Sequence, residues 1–257
     1  MNATPLRELR DHARDARDLR VLRALLRRLH GDTRAGSRAL AAQLERRAAR
    51  WEDERRRQRR LFRLRGELFR NGARFVAGVD EVGVGPLAGP VVAAAVILPR
   101  RVKLAGLNDS KQVRAAERER LAEEIREQAV ASCVAEANVE EIDRINIYWA
   151  ALLAMRRAVT GLSTTPDQVL VDARVIPDLA LPQRALVHGD GRDGTIAAAS
   201  ILAKVYRDKL MGRLDESYPG YGFSQHMGYA TAAHRDAIAR RGPSPVHRRS
   251  FAPCAAR

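Results

Sequence analysis

Apolar residues recur at helical spacing in the first part of the chain. A first amphipathic helix is predicted where leucines return every three or four residues, at Leu19, Leu22, Leu26 and Leu29. The glycine-containing stretch 31–36 interrupts this pattern. A second helix is predicted from about Ser37 to Arg70, and Asn71-Gly72 is typical of a helix end. Residues 1–72 are therefore interpreted as a helical extension, and the alternative is that they simply pack on the main body.

From residue 74 onward, short apolar segments alternate with longer amphipathic ones. Strands are predicted at 74–79, 91–98, 129–137, 168–172 and 185–187. Helices are predicted at 112–128, 139–159 and 196–214, with one more between the last two strands. Hairpin strands followed by strand–helix units are typical of the α/β class. We therefore predict that residues 73–257 form an α/β domain that ends in a helical region and tail.

Positive charge is concentrated in the predicted extension. The chain has a formal net charge of +15, and residues 1–74 contain 22 Arg, no Lys and 10 acidic residues, a net charge of +12. A basic segment joined to a nearly neutral body favours a polyanionic partner, most often nucleic acid. The alternative is a solvated, arginine-rich helix. A membrane surface is disfavoured because the segment lacks a broad aromatic face.

Length and composition exclude several classes of protein. The chain has 257 residues, of which 46% are hydrophobic and 30% charged, as expected of a globular protein with one large or two small domains. The longest apolar run, 86–99, is too short to span a bilayer, and no signal peptide is predicted. Only Cys133 and Cys254 are present. A disulfide framework or cysteine zinc site is disfavoured, and the expected location is the cytoplasm.

Four acidic residues lie at the ends of predicted strands. Asp80 and Glu81 end the first strand, Asp172 ends a later one, and Asp190 follows another. Sites in α/β proteins form at the carboxyl ends of strands, where these side chains would converge. Their mutual repulsion would be relieved by hard cations, and oxygen ligands favour Mg²⁺ or Mn²⁺. Two such ions can cleave a phosphodiester by activating water and stabilising the leaving oxygen. For any one acid alone, an ordinary turn or cap role is the better interpretation.

Other polar motifs are less specific. The glycines at 83, 85 and 89 do not have dinucleotide-binding spacing, but they would let backbone amides approach a ligand. Ser110 and Lys111 precede a predicted helix and could hold a phosphate or merely cap the helix. Ser200 and Lys204 lie four residues apart on one helical face, where they line a nucleic-acid groove or are simply solvated.

Residues 75–96, FVAGVDEVGVGPLAGPVVAAAV, closely resemble the opening motif of bacterial ribonuclease HII. Further matches, in the family's order, occur at 107–111, 141–146, 169–172, 189–190, 196–204, 207–208, 218–223, 226–229 and 242–251. The extension is similar to one that some family members carry, but only through the turn at 32–36.

The resemblance implies a ribonuclease H-like fold, with a mixed central sheet flanked by helices, and metal-dependent cleavage of RNA strands paired with DNA. Family members also nick duplex DNA on the 5′ side of a single embedded ribonucleotide, leaving a 3′-hydroxyl and a 5′-phosphate. The implied partners are RNA/DNA hybrids and ribonucleotide-containing duplex DNA, for a monomer without membrane contact. The implied context is DNA replication and ribonucleotide excision repair. Whether the chain also binds a protein of the replication machinery is left open.

By matched position, the resemblance makes the four acids, Asp80, Glu81, Asp172 and Asp190, both catalytic residues and ligands of two Mg²⁺ or Mn²⁺ ions. Tyr229 matches the tyrosine that stacks on the ribose. The backbone from Gly83 through Val84 to Gly85 matches the turn that senses the 2′-hydroxyl, the group that distinguishes RNA from DNA. Ser110 and Lys111 match positions near the phosphate backbone. No histidine general base is required, although His226 or His234 could assist. Ordinary packing in a loop or helix is the better interpretation of both histidines.

The chain departs from the family pattern at several positions. Val84 replaces the arginine of a Gly-Arg-Gly motif, which removes a bidentate phosphate contact and predicts weaker catalysis or altered junction preference. His188 and Met227 replace lysines. These losses leave a second hypothesis, a hybrid-binding protein with weak or no activity. A third hypothesis is a ribonuclease HIII-like nuclease, which the motif around Asp80 disfavours.

Overall fold

The computed structural model describes residues 4–252 and 254–255, and the chain divides into two compact units, 1–60 and 61–257. The N-terminal unit contains helices α1 (Leu6–Asp15), α2 (Leu19–His30) and α3 (Ala35–Leu61). The predicted leucine stripe of α2 is buried against α1 and α3 in a separate apolar cluster. Helix α1 was not predicted. It is separated from α2 by Asp18, whose side chain accepts hydrogen bonds from the first amides of α2.

The second predicted helix is divided at Phe62, where the backbone leaves helical geometry (φ −101°, ψ 12°). Helix α4 (Arg63–Arg70) follows within the second unit, and its Phe69 packs against Val76 and Ile196. Arg65 of α4 is buried, and the negative charge of buried Asp193 lies near its guanidinium. Residues 61–72 thus group with the second compact unit. The boundary at 72 between a helical extension and a catalytic domain stays a prediction.

The second unit is built on a five-stranded mixed sheet. Its strands are β1 (Val76–Val82), β2 (Val91–Ile97), β3 (Ala131–Ala137), β4 (Gln168–Asp172) and β5 (Gln183–Leu186), in the order β3-β2-β1-β4-β5. Strands β1, β2 and β3 are antiparallel neighbours, while β4 is parallel to both β1 and β5. The helix predicted between the last two strands is absent. A non-helical connection, 173–182, joins β4 to β5 directly.

Helices cover both faces of this sheet. Helices α5 (Ala115–Gln128), α6 (Val139–Thr160) and α7 (Gly194–Ser217) do so, whereas α8 (Phe223–His226) and α9 (Ala232–Arg241) follow α7. Alternate residues of β2 point to opposite faces, so Val92 packs with α5 and α7 whereas Val91 packs with α6. The result is a three-layer α/β domain, as the pattern predicted.

The close approach of α7 to β1 depends on Gly78. A Cβ atom at this position would lie 2.2 Å from the backbone carbon of Thr195. Side chains at position 78 are therefore excluded, and α7 crosses β1 at backbone contact distance. Among residues 4–252 and 254–255, no helix is long and apolar enough to cross a membrane.

Candidate active site

Three of the four predicted acids converge where β1 and β4 separate. The parallel pairing of the two strands ends at Val79 opposite Val171, so that Asp80 and Asp172 follow side by side. Strand β1 nevertheless continues to Val82 by pairing with β2. Asp80 and Glu81 therefore lie inside β1, which continues beyond the predicted strand end at Val79. Ligand oxygens of Asp80, Glu81 and Asp172 all lie within 4.8 Å of one another.

Asp190 lies beside this group but not within it. It is part of a short 3-10 turn, Gly189–Gly191, that follows β5. The amide of Gly189 donates a hydrogen bond of 2.6 Å to Asp172 Oδ1, which joins this turn to the end of β4. Asp109 is a fifth acid nearby, because its charge, after burial, is the largest cause of the raised pKa of Asp190. Sequence reasoning assigned no role to Asp109.

The cluster is electrostatically strained without a cation. Burial raises the pKa of Asp80 well above its usual value, and the charge of Glu81 raises it further. Burial also raises the pKa of Glu81, although the nearby Arg174 opposes the shift. Glu81 Oε2 is buried without a hydrogen-bond partner among the described residues. Several crowded carboxylates with an unsatisfied oxygen are the donor set that a hard divalent cation prefers.

The loop after β1 presents backbone amides beside the acids. Gly83 has φ +91°, and the buried guanidinium of Arg248 donates to the carbonyls of Gly83 (2.6 Å) and Val84 (3.0 Å). In a trans peptide the N–H points away from the carbonyl. Arg248 therefore turns the amides of Val84 and Gly85 away from itself, and neither amide has a partner among the residues described.

A second buried arginine supports the rest of this loop. Arg207 is completely buried, and it donates to the carbonyls of Ala88 (3.0 Å), Pro90 (3.1 Å) and Met227 (2.9 Å). A Cβ atom at Gly83 would lie 2.2 Å from Arg207 Nε, so glycine is required there. Both arginines lie within motifs that carry the family resemblance, but their burial could not be anticipated, because arginine is usually exposed.

Tyr229 faces the glycine loop. Its side chain is 45% exposed, and its Cε1 atom lies 3.7 Å from where a Cβ of Gly85 would be. Its carbonyl accepts a hydrogen bond of 2.9 Å from His234 Nδ1, because a carbonyl can only accept. His234 Nε2 lies 3.0 Å from His247 Nε2, and His247 Nδ1 accepts from the amide of Ser244 (2.9 Å). This arrangement requires two neutral imidazoles and supports the backbone of Tyr229.

The histidines are therefore structural, as the alternative interpretation held. His234 is buried, and His226 Nε2 bonds to the carbonyl of Tyr221 (2.8 Å). Burial, together with the proximity of His234, lowers the pKa of His247 to about 4. Neither His226 nor His234 is available as a general base in this arrangement.

The remaining predicted residues divide into two groups. The hydroxyls of Ser110 and Ser200 share a buried hydrogen bond of 2.9 Å, and Ser200 also bonds to Asp80. Lys111 is exposed, and its positive charge reaches Glu81 and Asp190. Lys204, by contrast, is held by Asp208 at 2.7 Å on its own helix. The structure therefore brings Ser110, Lys111 and Ser200 to the acids, and gives Lys204 another partner.

The side chain of Val84 lies against the apolar cluster between the sheet and α6. It is partly buried there, in the company of Ile145 and Phe251. At position 84 the loop therefore offers its backbone amide to a ligand, while the side chain contributes to packing.

The comparisons agree with these features. The family model described as Ribonuclease HII matches residues 77–254. A protein named Ribonuclease HII from Myxococcus xanthus is 54% identical over 230 residues, which cover 89% of this chain and 78% of the relative. Another from an Anaeromyxobacter species is 56% identical over 222 residues, covering 86% and 70% respectively.

Solved structures show the same fold. The crystal structure of ribonuclease H2 from Pyrococcus horikoshii matches with a TM-score of 0.60 and 26% identity, over 70% of this chain and 95% of that one. The predicted fold class, family and enzyme class are thus confirmed, and the non-catalytic alternative is not favoured. The chain belongs to the ribonuclease HII family and is a metal-dependent ribonuclease H that acts on RNA/DNA hybrids.

Proposed function

We propose that this enzyme also nicks duplex DNA on the 5′ side of a single embedded ribonucleotide, leaving a 3′-hydroxyl and a 5′-phosphate. The observation that carries the proposal is the position of two unpartnered amides, at Val84 and Gly85, between the acid cluster and Tyr229. A donor pair beside a tyrosine ring is suited to one ribose and its 2′-hydroxyl, so recognition of a single ribonucleotide needs no RNA neighbours.

In this proposal the four acids hold two divalent cations, Mg²⁺ or Mn²⁺. Asp80, Glu81 and Asp172 form the inner group, and Asp190 completes the set from the 3-10 turn. When bound, such ions supply an activated water and stabilise the departing oxygen. The chain itself fixes the carboxylates: β1 and β4 hold them by strand pairing, and Ser200 bonds to Asp80.

Specificity resides in the backbone and Tyr229. Arg248 and Arg207 orient the loop so that the amides of Val84 and Gly85 meet the 2′-hydroxyl. Tyr229 packs on the ribose, and its own backbone is fixed by His234. Lys111, exposed beside the acids, contacts the phosphate backbone, whereas Ser110 and Ser200 support Asp80.

The N-terminal unit adds sequence-independent affinity in this proposal. Its exposed arginines, among them Arg46 and Arg50 on α3, contact phosphates of the duplex and release counterions. We propose further that the enzyme acts as a monomer in the cytoplasm.

A nicking assay on duplex DNA with one ribonucleotide tests the proposed activity. Mg²⁺ and Mn²⁺ are supplied separately, with an all-DNA duplex and the Asp172→Asn variant as controls. We expect a nick 5′ of the ribonucleotide that requires metal and is absent from both controls. Cleavage of a continuous RNA/DNA hybrid without any nick at the single ribonucleotide would refute the proposal.

A further inference from the structure

We propose that Tyr148, Trp149 and Arg174 form a second contact surface for the sugar–phosphate backbone of the substrate duplex, next to the acid cluster. Three aromatic side chains are exposed in the part of the chain that the structure describes. One is Tyr229, already associated with the ribose. The other two are neighbours, Tyr148 and Trp149, each 50% exposed, and their rings meet edge to face at 5.3 Å. We call these two residues with Arg174 the aromatic surface.

A break in α6 presents this aromatic pair. Asn146 has φ 64° and ψ 165°, outside helical geometry, so α6 is interrupted immediately before the two rings. The Oδ1 atom of Asn146 accepts hydrogen bonds from the amides of Tyr148 (2.9 Å) and Trp149 (3.3 Å). Such backbone geometry is unfavourable for a non-glycine residue and persists only where the surroundings maintain it. The break therefore holds two large aromatic side chains in solvent, where they do not gain the favourable free energy of burial.

Arg174 links the aromatic pair to the acids. Its guanidinium carbon lies 5.2 Å from the centre of the Tyr148 ring, and its Nη1 atom lies 3.5 Å from Glu81 Oε1. That ion pair is too long for a good hydrogen bond, and Nη1 is buried without a hydrogen-bond partner among the residues described. The aromatic surface is thus continuous with the metal-binding acids and ends in an unsatisfied cationic donor.

The chemistry of this surface fits a nucleic-acid backbone. The bases of a duplex are stacked inside it, so exposed rings meet the apolar faces of sugars. The phenol hydroxyl and the indole N–H can donate to phosphate oxygens at the edges of the same rings. The guanidinium of Arg174 is the residue type best suited to phosphate. A duplex engaged at the acid cluster necessarily extends beyond it, and this surface borders the cluster.

Steady-state kinetics on an RNA/DNA hybrid test the aromatic surface. Tyr148→Leu and Trp149→Leu are each expected to raise KM about fivefold to tenfold and leave kcat within about twofold. Arg174→Gln is expected to raise KM by a similar factor. Arg174→Gln is also expected to lower the salt dependence of binding by about one phosphate contact. The matched control is Arg156→Gln, which removes a partly exposed arginine on α6 that pairs with Asp178. It should behave as wild type.

A fall in kcat with unchanged KM for Arg174→Gln would show that Arg174 only positions Glu81, and would overturn its assignment. Wild-type kinetics for both aromatic variants would overturn the assignment of the rings. Because Tyr148 and Trp149 are each half exposed, thermal melting of their two variants should be unchanged, which separates a binding defect from unfolding.

Direct contact can be observed through Trp149. The chain has two tryptophans, so Trp51→Phe leaves Trp149 as the only indole. Asp172→Asn is added to this background to prevent cleavage. Acrylamide quenching of the Trp149 fluorescence is then measured without nucleic acid and with a saturating concentration of unlabelled hybrid. Protection of Trp149 that scales with hybrid occupancy, measured separately by anisotropy of a labelled hybrid, supports the proposal.

Unchanged quenching at full occupancy would overturn it. So would protection that is already present without nucleic acid and disappears on dilution, since a second copy of the chain would then cover the surface. Residual cleavage in the Asp172→Asn background would contradict the proposed role of Asp172 as a metal ligand. It would not affect the aromatic surface, because protection of Trp149 is measured independently of turnover.

Discussion

The N-terminal unit keeps its arginines on the surface, whereas the catalytic unit encloses Arg207 and Arg248 completely. In the first unit, several exposed arginines pair with carboxylates, as Arg56 does with Asp53 on the same helix. In the second, both guanidiniums are surrounded by backbone carbonyls of the glycine loop and its neighbours. The same residue type therefore supplies solvated charge in one unit and loop geometry in the other.

The two uses differ in energy. An exposed ion pair contributes about 0–1 kcal/mol, because water already stabilises both charges. A buried guanidinium has lost that hydration, and only well-placed acceptors offset the loss. Burial accordingly lowers the pKa of Arg248 to about 9 and that of Arg207 to about 10. The exposed arginines thus supply the positive charge of this protein, whereas the two buried arginines shape its active site.

The largest effect is expected for Arg248→Met. This change leaves three loop carbonyls, those of Gly83, Val84 and Gly89, without the donor that orients them. We expect the free energy of unfolding to fall by about 3 kcal/mol or more in urea titration. Hybrid cleavage should also be lost, because the amides that face the ribose are no longer fixed.

Arg249→Met is the matched control for this prediction. The neighbouring side chain is exposed, and its removal should leave the urea midpoint nearly unchanged. Equal midpoints for the two variants would show that the buried arginine contributes no more than a surface one, and the comparison would fail.

An intermediate effect is expected on acidification. His247 is neutral in the folded protein, with a pKa lowered to about 4 by burial, whereas an unfolded histidine titrates near 6.5. The unfolded chain therefore binds the proton first, so stability is fully present above about pH 6.5 and is lost as the pH falls toward 4. The buried pair consists of His247 and His234, and His226 lies beside it. Because of this pair, the free energy of unfolding from urea titration should be lower at pH 4.5 than at pH 7 by on the order of 2 kcal/mol.

His247→Gln should reduce this pH dependence while lowering stability at pH 7. His30→Gln removes an exposed histidine that pairs with Glu45 in the N-terminal unit, and it should retain the full dependence. If both variants lose stability with acid as steeply as wild type, the buried pair is not the cause.

The smallest effect on stability, and a selective one on binding, is expected for Arg46→Gln combined with Arg50→Gln. Both side chains are exposed on α3, so the free energy of unfolding should change by less than about 0.5 kcal/mol. Affinity for a duplex should fall, with a salt slope smaller by about two. Arg56→Gln, whose charge is paired with Asp53, should change the slope less. An unchanged slope in the double variant would exclude α3 as a phosphate-binding element.

Local patterns predicted much of this fold. The leucine stripe of α2, the buried β2 and the short β4 all correspond to strong periodicity or uninterrupted apolar runs. The acids could be found because chain order and strand ends were enough to bring Asp80, Glu81 and Asp172 together. Strand β1 was shortened in the prediction because its last residues are charged, although they pair with β2 as a normal strand does.

What escaped prediction depends on long-range contacts. The break at Asn146 lies in a sequence with ordinary helical character, and only the fold shows that Tyr148 and Trp149 are exposed. Arg248 acquires its partners more than 150 residues away along the chain. No spacing rule connects such positions, so a buried charge can be recognised only after the packing is known.

The contact at Gly78 constrains how this protein can vary over time. Since Ser200 is carried on α7, the distance between α7 and β1 also sets where that hydroxyl stands relative to Asp80. A single added methyl group at position 78, two residues before Asp80, would push the helix outward and withdraw the hydroxyl from the carboxylate. Substitutions at position 78 should therefore be selected against through catalysis as well as through stability.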